Sequence, residues 1–159
     1  MIPLRLRLKG FLSYRDEATL SFDGAPLWVL VGRNGTGKSA LFDAITFVLY
    51  GVHRAGNQQH HHDLINHQSD KLEVEYEFQL ADSRYLVKRT ISKPNSSTFH
   101  AWQFRRDLPD RQWQTIVGTE SKVGFDQWVQ QTIGLGADTF TASVLLQQGR
   151  ADAMLTTDP

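Results

Sequence analysis

The chain has 159 residues, its 17 Lys and Arg are balanced by 17 Asp and Glu, and it has no cysteine. That excludes a disulfide framework and a cysteine zinc site, and the neutral balance excludes a large, diffuse basic patch. The length suits one domain, 1–159, with a real core; no apolar run is long enough to cross a membrane, which leaves a cytoplasmic protein as the expectation.

In chain order, Ile2, Leu4, Leu6 and Leu8 fall on one face of a first strand, with Arg5 and Arg7 on the other. Phe11 to Tyr14 breaks the pattern, Ala18 to Phe22 reads as a second short strand, and Asp23-Gly24-Ala25-Pro26 supplies a turn. The apolar run Leu27 to Val31 then reads as a buried strand. It enters Gly32-Arg33-Asn34-Gly35-Thr36-Gly37-Lys38-Ser39, which fills the P-loop pattern G-x-x-x-x-G-K-[ST] without a mismatch. Glycines let a backbone wrap a phosphate, and the helix that follows offers unpaired N–H groups and its positive dipole end. Leu41, Ala44, Ile45, Val48 and Leu49 recur at helical spacing, and Gly51 stands where a helix C-terminal glycine belongs. The motif implies a bound nucleoside triphosphate, with Lys38 on its β- and γ-phosphates and Ser39 on Mg2+.

Residues 52–63 show no periodicity and read as a loop. Leu72, Val74, Tyr76, Phe78 and Leu80 then alternate with Lys71, Glu73, Glu75, Glu77 and Gln79, the signature of an antiparallel sheet with one wet face. Arg84 to Ile91, Phe99 to Arg105 and Gln112 to Val117 read as further antiparallel strand. A helix is expected over Lys122 to Ile133 with Phe125, Trp128, Val129 and Ile133 inward, ended by Gly134-Leu135-Gly136. The expected fold is α/β: a mixed sheet around the P-loop helix (1–66 and 134–159) joined to an antiparallel β lobe with its helix (67–133). A complete P-loop ATPase also needs an apolar strand ending in a carboxylate that serves the metal and the attacking water. The only candidate, Ser143 to Leu146, runs into Gln147-Gln148-Gly149, and no Leu-Ser-Gly-Gly segment is present.

These features together resemble the N-terminal half of the ATPase head of the SbcC-type double-strand-break repair ATPases, within the wider structural-maintenance-of-chromosomes class. The resemblance rests on Leu4 to Tyr14, on Asn34 to Ser39 followed by Asp43-Ala44-Ile45 and Leu49-Tyr50-Gly51, and on Asp63-Leu64-Ile65. It continues through Val74 to Phe78, Tyr85 to Arg89 and Phe140 to Leu155, and stops where that family's long coiled coil would begin. It implies that Gly32, Asn34, Gly35, Thr36, Gly37, Lys38, Ser39 and Ala40 hold the phosphates. It also implies that Ser13, Tyr14, Ile65 and Asn66 line the nucleoside, although Leu12 stands where many archaeal and eukaryotic relatives carry Arg. Gln148 becomes the glutamine that meets Mg2+ and the attacking water, preferred over Gln147 because it precedes the glycine; an amide both donates and accepts.

The implied cofactors are ATP and Mg2+. The implied partners are the C-terminal half of the same head, a second head joined through ATP, an SbcD-like nuclease and double-stranded DNA, in a nucleoid-associated setting without a membrane. Two other readings are an SMC- or RecF-like ATP-gated clamp without a nuclease, and a free-standing P-loop kinase or regulator. The kinase reading conflicts with the absent acceptor site and lid arginines.

Other features point less sharply. His60-His61-His62 are adjacent loop residues, poorly placed to converge on one ion, and read as solvated. Glu73, Glu75 and Glu77 read as a solvated strand face. Arg5, Arg7 and Lys9 are either contacts for DNA phosphates or cations that blunt a sheet edge. Trp102, Phe104 and Trp113 read as core or interlobe packing, with stacking on bases as the competing reading.

Overall fold

Every strand among the described residues belongs to one antiparallel sheet. The computed structural model describes residues 1–22, 28–53, 58–93, 96–104 and 112–143, with the backbone alone for 58–60 and 143. The strands are β1 (Ile2–Lys9), β2 (Ala18–Ser21), β3 (Lys71–Leu80), β4 (Ser83–Ser92), β5 (Ser96–Phe104) and β6 (Trp113–Thr115), in the order β2-β1-β3-β4-β5-β6. The helices are α1 (Lys38–Tyr50), α2 (Lys122–Ile133) and α3 (Ala137–Ser143), and a 3-10 turn runs over Gln58–Leu64. The expected α/β class holds. Because β1 pairs directly with β3, the N-terminal strands and those of the expected β lobe share one sheet. Ser143, expected to open a strand, instead ends α3, and Asp138 in its first turn suits the helix dipole.

Strand parity sorts the sheet into two faces. Leu6 and Leu8 on β1, Val74, Tyr76 and Phe78 on β3, and Val87 and Ile91 on β4 are buried on the face that α1 and α2 cover. The opposite face carries a ladder of charge. Arg5 stands opposite Glu77, Arg7 opposite Glu75 and Lys9 opposite Glu73. Arg5 meets Glu77 at 3.2 Å, Arg7 meets Glu75 at 2.9 Å and Glu17 at 2.6 Å, and Lys88 bridges Glu73 and Glu75 at 2.9 Å each. Arg84 closes on Glu77 from the β4 side.

Two expectations change here. The glutamates are not a solvated face: cations from both neighbouring strands cover them, and the Glu77 side chain is only 3% exposed. Arg5 and Arg7 do not blunt an edge either, since β1 lies between β2 and β3 and their guanidinium groups are engaged with carboxylates.

Arg89 is the charged group that sequence reading missed. It points into the helix-covered face, 1% exposed, with its guanidinium 4.6 Å from the Phe99 ring centre, 5.2 Å from Phe125 and 5.6 Å from Phe47. Nε donates to Val48 O at 3.3 Å and Nη2 to Leu49 O at 3.5 Å, so a cation caps the C-terminal carbonyls of α1. Burial pulls its pKa down to about 10, opposed by Asp126, and the group stays charged near neutrality. Gly51 ends α1 at φ +68, and a Cβ there would lie 2.8 Å from Arg89 Nη1. Parity within β4 was the available signal: Tyr85, Val87, Arg89 and Ile91 share one side.

Removing this side chain leaves a void among three rings and frees two helix carbonyls. Arg89→Ala is expected to cost about 3 kcal/mol or more, and Arg89→Met distinctly less, by urea unfolding. A loss under about 1 kcal/mol for the alanine variant would mean that the rings close without the guanidinium.

Hydrogen bonds from Lys71 and Lys88 hold Glu73 at about 2, against an ordinary 4.5. A carboxylate depressed on folding stabilises the native state above its unfolded pKa, and that contribution fades as pH falls from 4.5 toward 2. The urea midpoint should fall across this window, and less steeply in Glu73→Gln. Equal slopes would remove Glu73 from the acid response.

Candidate phosphate-binding site

The loop Gly32 to Gly37 opens directly into α1. Gly37 is the N-cap, at φ 89 and ψ 7, with no side chain capping it, and the first turn holds no acidic residue. The N–H groups at this end lack carbonyls four residues earlier, so they and the positive dipole end face outward. Gly37 cannot be replaced cheaply: a Cβ there would sit 2.5 Å from Ser13 Oγ and 2.9 Å from Tyr14 Cε2.

Within the loop, Lys38 arches back so that Nζ donates to Gly32 O at 2.5 Å and Arg33 O at 2.6 Å. Thr36 closes the turn by donating from Oγ1 to Arg33 O at 2.8 Å. Asn34 and Gly35 are exposed, Ser39 lies half-buried in the first turn, and Ala40 is buried with its N–H on Gly37 O at 3.0 Å. A Cβ on Gly32 would stand 3.0 Å from Thr36 Oγ1, crowding the turn that hydroxyl closes, and only in ordinary contact with Lys38. An uncapped helix start, an ammonium at its mouth and a hydroxyl in the first turn form a donor set that fits a phosphate chain with its Mg2+.

The turn at Phe11–Tyr14 packs against this loop. Tyr14 OH donates to Gly37 O at 3.3 Å. Asn66 ties the turn down: its Nδ2 donates to Leu12 O at 2.6 Å, its N–H to Gly10 O at 2.9 Å, and its Oδ1 accepts from Gln68 N–H at 3.0 Å. Ser13, Ile65 and Asn66 line a cavity of about 490 Å3 together with Arg15, Asp63 and His67. The structure therefore brings Ser13 and Tyr14 to the loop and sets Ile65 and Asn66, both largely buried, behind them as the support of that turn. Gln147 and Gln148 lie outside the described residues.

The segment before the loop differs from expectation. Residues 28–31 form no strand, with Trp28 51%, Val29 77% and Val31 86% exposed. A strand needs a hydrogen-bonding neighbour, and among the described residues none lies beside them. Trp28, Val29 and Leu30 border an apolar cleft of about 580 Å3 lined also by Leu6, Leu20, Phe22, Leu41, Phe42 and Phe140. The histidine run is also not a plain solvated loop: His61 Nε2 lies 2.7 Å from Gly51 O and its ring is edge-on to Phe47. Burial lowers the His61 pKa. Among the described residues no three metal-binding side chains converge.

Known proteins agree with the resemblance read from the sequence. The chain is 35% identical over 157 residues to the SbcC component of the nuclease SbcCD from Deinococcus radiodurans, an alignment covering 98% of this chain and 17% of that protein. It is 32% identical to the Bacillus subtilis protein of the same name, covering 94% and 14%. It is 30% identical to "DNA double-strand break repair Rad50 ATPase" of Thermoplasma volcanium, covering 100% and 16%. The chain thus spans less than a fifth of the length of these relatives. Among solved structures, the "SMC head domain from Thermotoga maritima" aligns at a TM-score of 0.45 and 26% identity, over 70% of this chain and 42% of that one. The AAA domain family matches residues 5–158, the loop and the helix it opens included, and the chain belongs to that family.

Proposed function

We propose that this chain binds Mg·ATP at the loop Gly32–Ser39 and forms one half of an ATPase head that serves DNA double-strand-break processing. The uncapped, acid-free start of α1 with the Lys38 ammonium arched over it is the observation that carries this reading. Lys38 exchanges two neutral carbonyls for phosphate oxygens, a charge-assisted and stronger pairing. Backbone N–H groups at the start of α1 hold the remaining phosphate oxygens, and Ser39 offers its hydroxyl to Mg2+, which neutralises charge on the phosphates. Ser13 and Tyr14 wall the site, and Gln148 positions the attacking water.

The exposed Trp28–Val31 segment and the cleft beside it support pairing with a C-terminal half that carries the missing carboxylate strand and signature segment. In this scheme ATP joins two heads and hydrolysis parts them. The naming of the relatives as parts of a nuclease favours an SbcD-like nuclease and duplex DNA as partners, in the cytoplasm, over a clamp without a nuclease. No described helix is long and apolar enough to cross a membrane.

Lys38→Ala is expected to weaken ADP binding roughly 10- to 100-fold, whereas Gln148→Ala leaves ADP affinity nearly intact and lowers ATP-driven dimerisation and hydrolysis once the other half is supplied. Titration calorimetry separates the two, and equal losses of ADP affinity would refute the role given to Gln148. The chain alone should also release phosphate far more slowly than the common enzymatic scale of about 10 per second. Turnover near that scale would mean that no second half is needed.

A further inference from the structure

The face of the sheet that no described helix covers does not end at the charge ladder. Register places Trp102 opposite Leu86 and Thr115, His100 opposite Lys88, and Phe104 opposite Trp113, on the same side as the ladder. The expected core packing of Trp102, Phe104 and Trp113 is therefore corrected: Phe99 and Ala101 are the β5 residues that face α2, and the other rings point away from it, half-buried. A sheet face left to water is ordinarily polar. This one is aromatic toward β6.

The rings are also braced. His100 and Trp102 lie 5.5 Å apart with an interplanar angle of 36°, and Phe104 meets Trp113 edge-on at 5.3 Å. Arg84 stands over both Phe104 and Trp113, at 5.5 and 5.8 Å, while Glu77 holds its other side. Beside them the ladder is layered by charge. Arg5, Arg7 and Arg84 are 47%, 37% and 39% exposed, over Glu77 at 3% and Glu75 at 16%. Glu75 and Glu77 form a floor beneath these cations, whereas Glu17 at 46% is as exposed as they are and Glu73 at 26% matches Lys88 at 27%, so a polyanion meets positive charge first on the Arg84 side, over Glu77, although the whole chain is neutral.

We propose that this face binds single-stranded nucleic acid, with bases stacked on Trp102 and its neighbouring rings and phosphates along the Arg84 and Lys88 side. A single strand satisfies both halves of the surface, because it presents flat π-faces and a polyanionic backbone together. A duplex hides its base faces and would use the cations alone. An apolar peptide would use the rings and make no use of the exposed sides of the cations. The site lies on the face opposite α1 and needs no nucleotide at the P-loop, so it stands or falls apart from the ATPase reading.

The test is fluorescence anisotropy with labelled oligo-dT and with a duplex of equal nucleotide count, at low salt and without ATP or ADP, alongside tryptophan fluorescence. Oligo-dT should bind about tenfold tighter than duplex and quench tryptophan emission, as stacking requires. Trp102→Ala should weaken oligo-dT binding roughly 5- to 100-fold, and Trp102→Phe should retain most of it. If the alanine variant does not fold, quenching of the parent chain by oligo-dT, and its absence with duplex, decides the matter. No binding of oligo-dT, equal affinity for the two nucleic acids, or an alanine variant that binds as tightly as the parent would each overturn the proposal.

Discussion

A cation with almost no water around it holds the helices to the sheet. Arg89 rises from β4 into a cage of Phe47, Phe99 and Phe125, contributed by α1, β5 and α2. Burying a charge is costly unless partners replace its hydration. Here three ring faces, two helix carbonyls and Asp126 at 3.8 Å replace it, and a desolvated cation–π contact contributes about 2 kcal/mol or more. The arrangement is directional as apolar packing is not. Val48 O and Leu49 O accept only if α1 ends where it does, so the guanidinium sets the position of the helix end and, through the rigid helix, that of the loop at its start.

The sheet beneath is built so that one register satisfies both faces. A slip of one residue between β1 and β3 would put Leu6 and Leu8 in water and Arg5 and Arg7 in the core. On the other face the same slip would break the Arg5–Glu77 and Arg7–Glu75 pairs. Exposed ion pairs are individually weak, but these rest on carboxylates that are largely covered, and they share partners across three strands. The ladder thus works mainly as a specifier of pairing. Its surplus of outward cations follows from placing the glutamates on the central strand, where neighbours on both sides can reach them.

Much of this was legible in the sequence because the signals are local. Strict period two marks β3, and α2 begins after Ser121, whose Oγ accepts from Gly124 N–H, and ends at Gly134 in the left-handed region. The P-loop pattern implies a glycine loop that opens into a helix, and α1 does begin at Lys38 behind Gly37. What escaped depends on distant partners. Seven-residue α3 has no apolar period, and its Phe140 lies 5.3 Å from the Tyr50 ring, a contact far apart in sequence. Arg89 escaped because its side of β4 gains meaning only from a cage built by Phe47, Phe99 and Phe125. The run 27–31 announces a wish for burial, and hydrophobicity alone does not say by what; the structure leaves 28–31 exposed.

That last segment makes the support of the loop unequal on its two sides. On the helix side, α1 is clamped at its far end by Arg89, and Gly37 is wedged against Ser13 and Tyr14. On the strand side, Trp28 Nε1 donating to Phe22 O at 3.2 Å, with the two rings 5.9 Å apart, is the anchorage among the described residues. Between the two, Lys38 holds the loop closed by binding the carbonyls of Gly32 and Arg33. Any phosphate that takes the ammonium also takes away that brace. The loop then keeps its shape only through the phosphate itself or through a neighbour that pairs with residues 28–31. On the reading proposed above, nucleotide and second half stabilise the same few residues, and each lowers the ordering cost for the other. On that same reading, coupling between ATP and head assembly begins at residues 28–31, before any residue of a second head is considered.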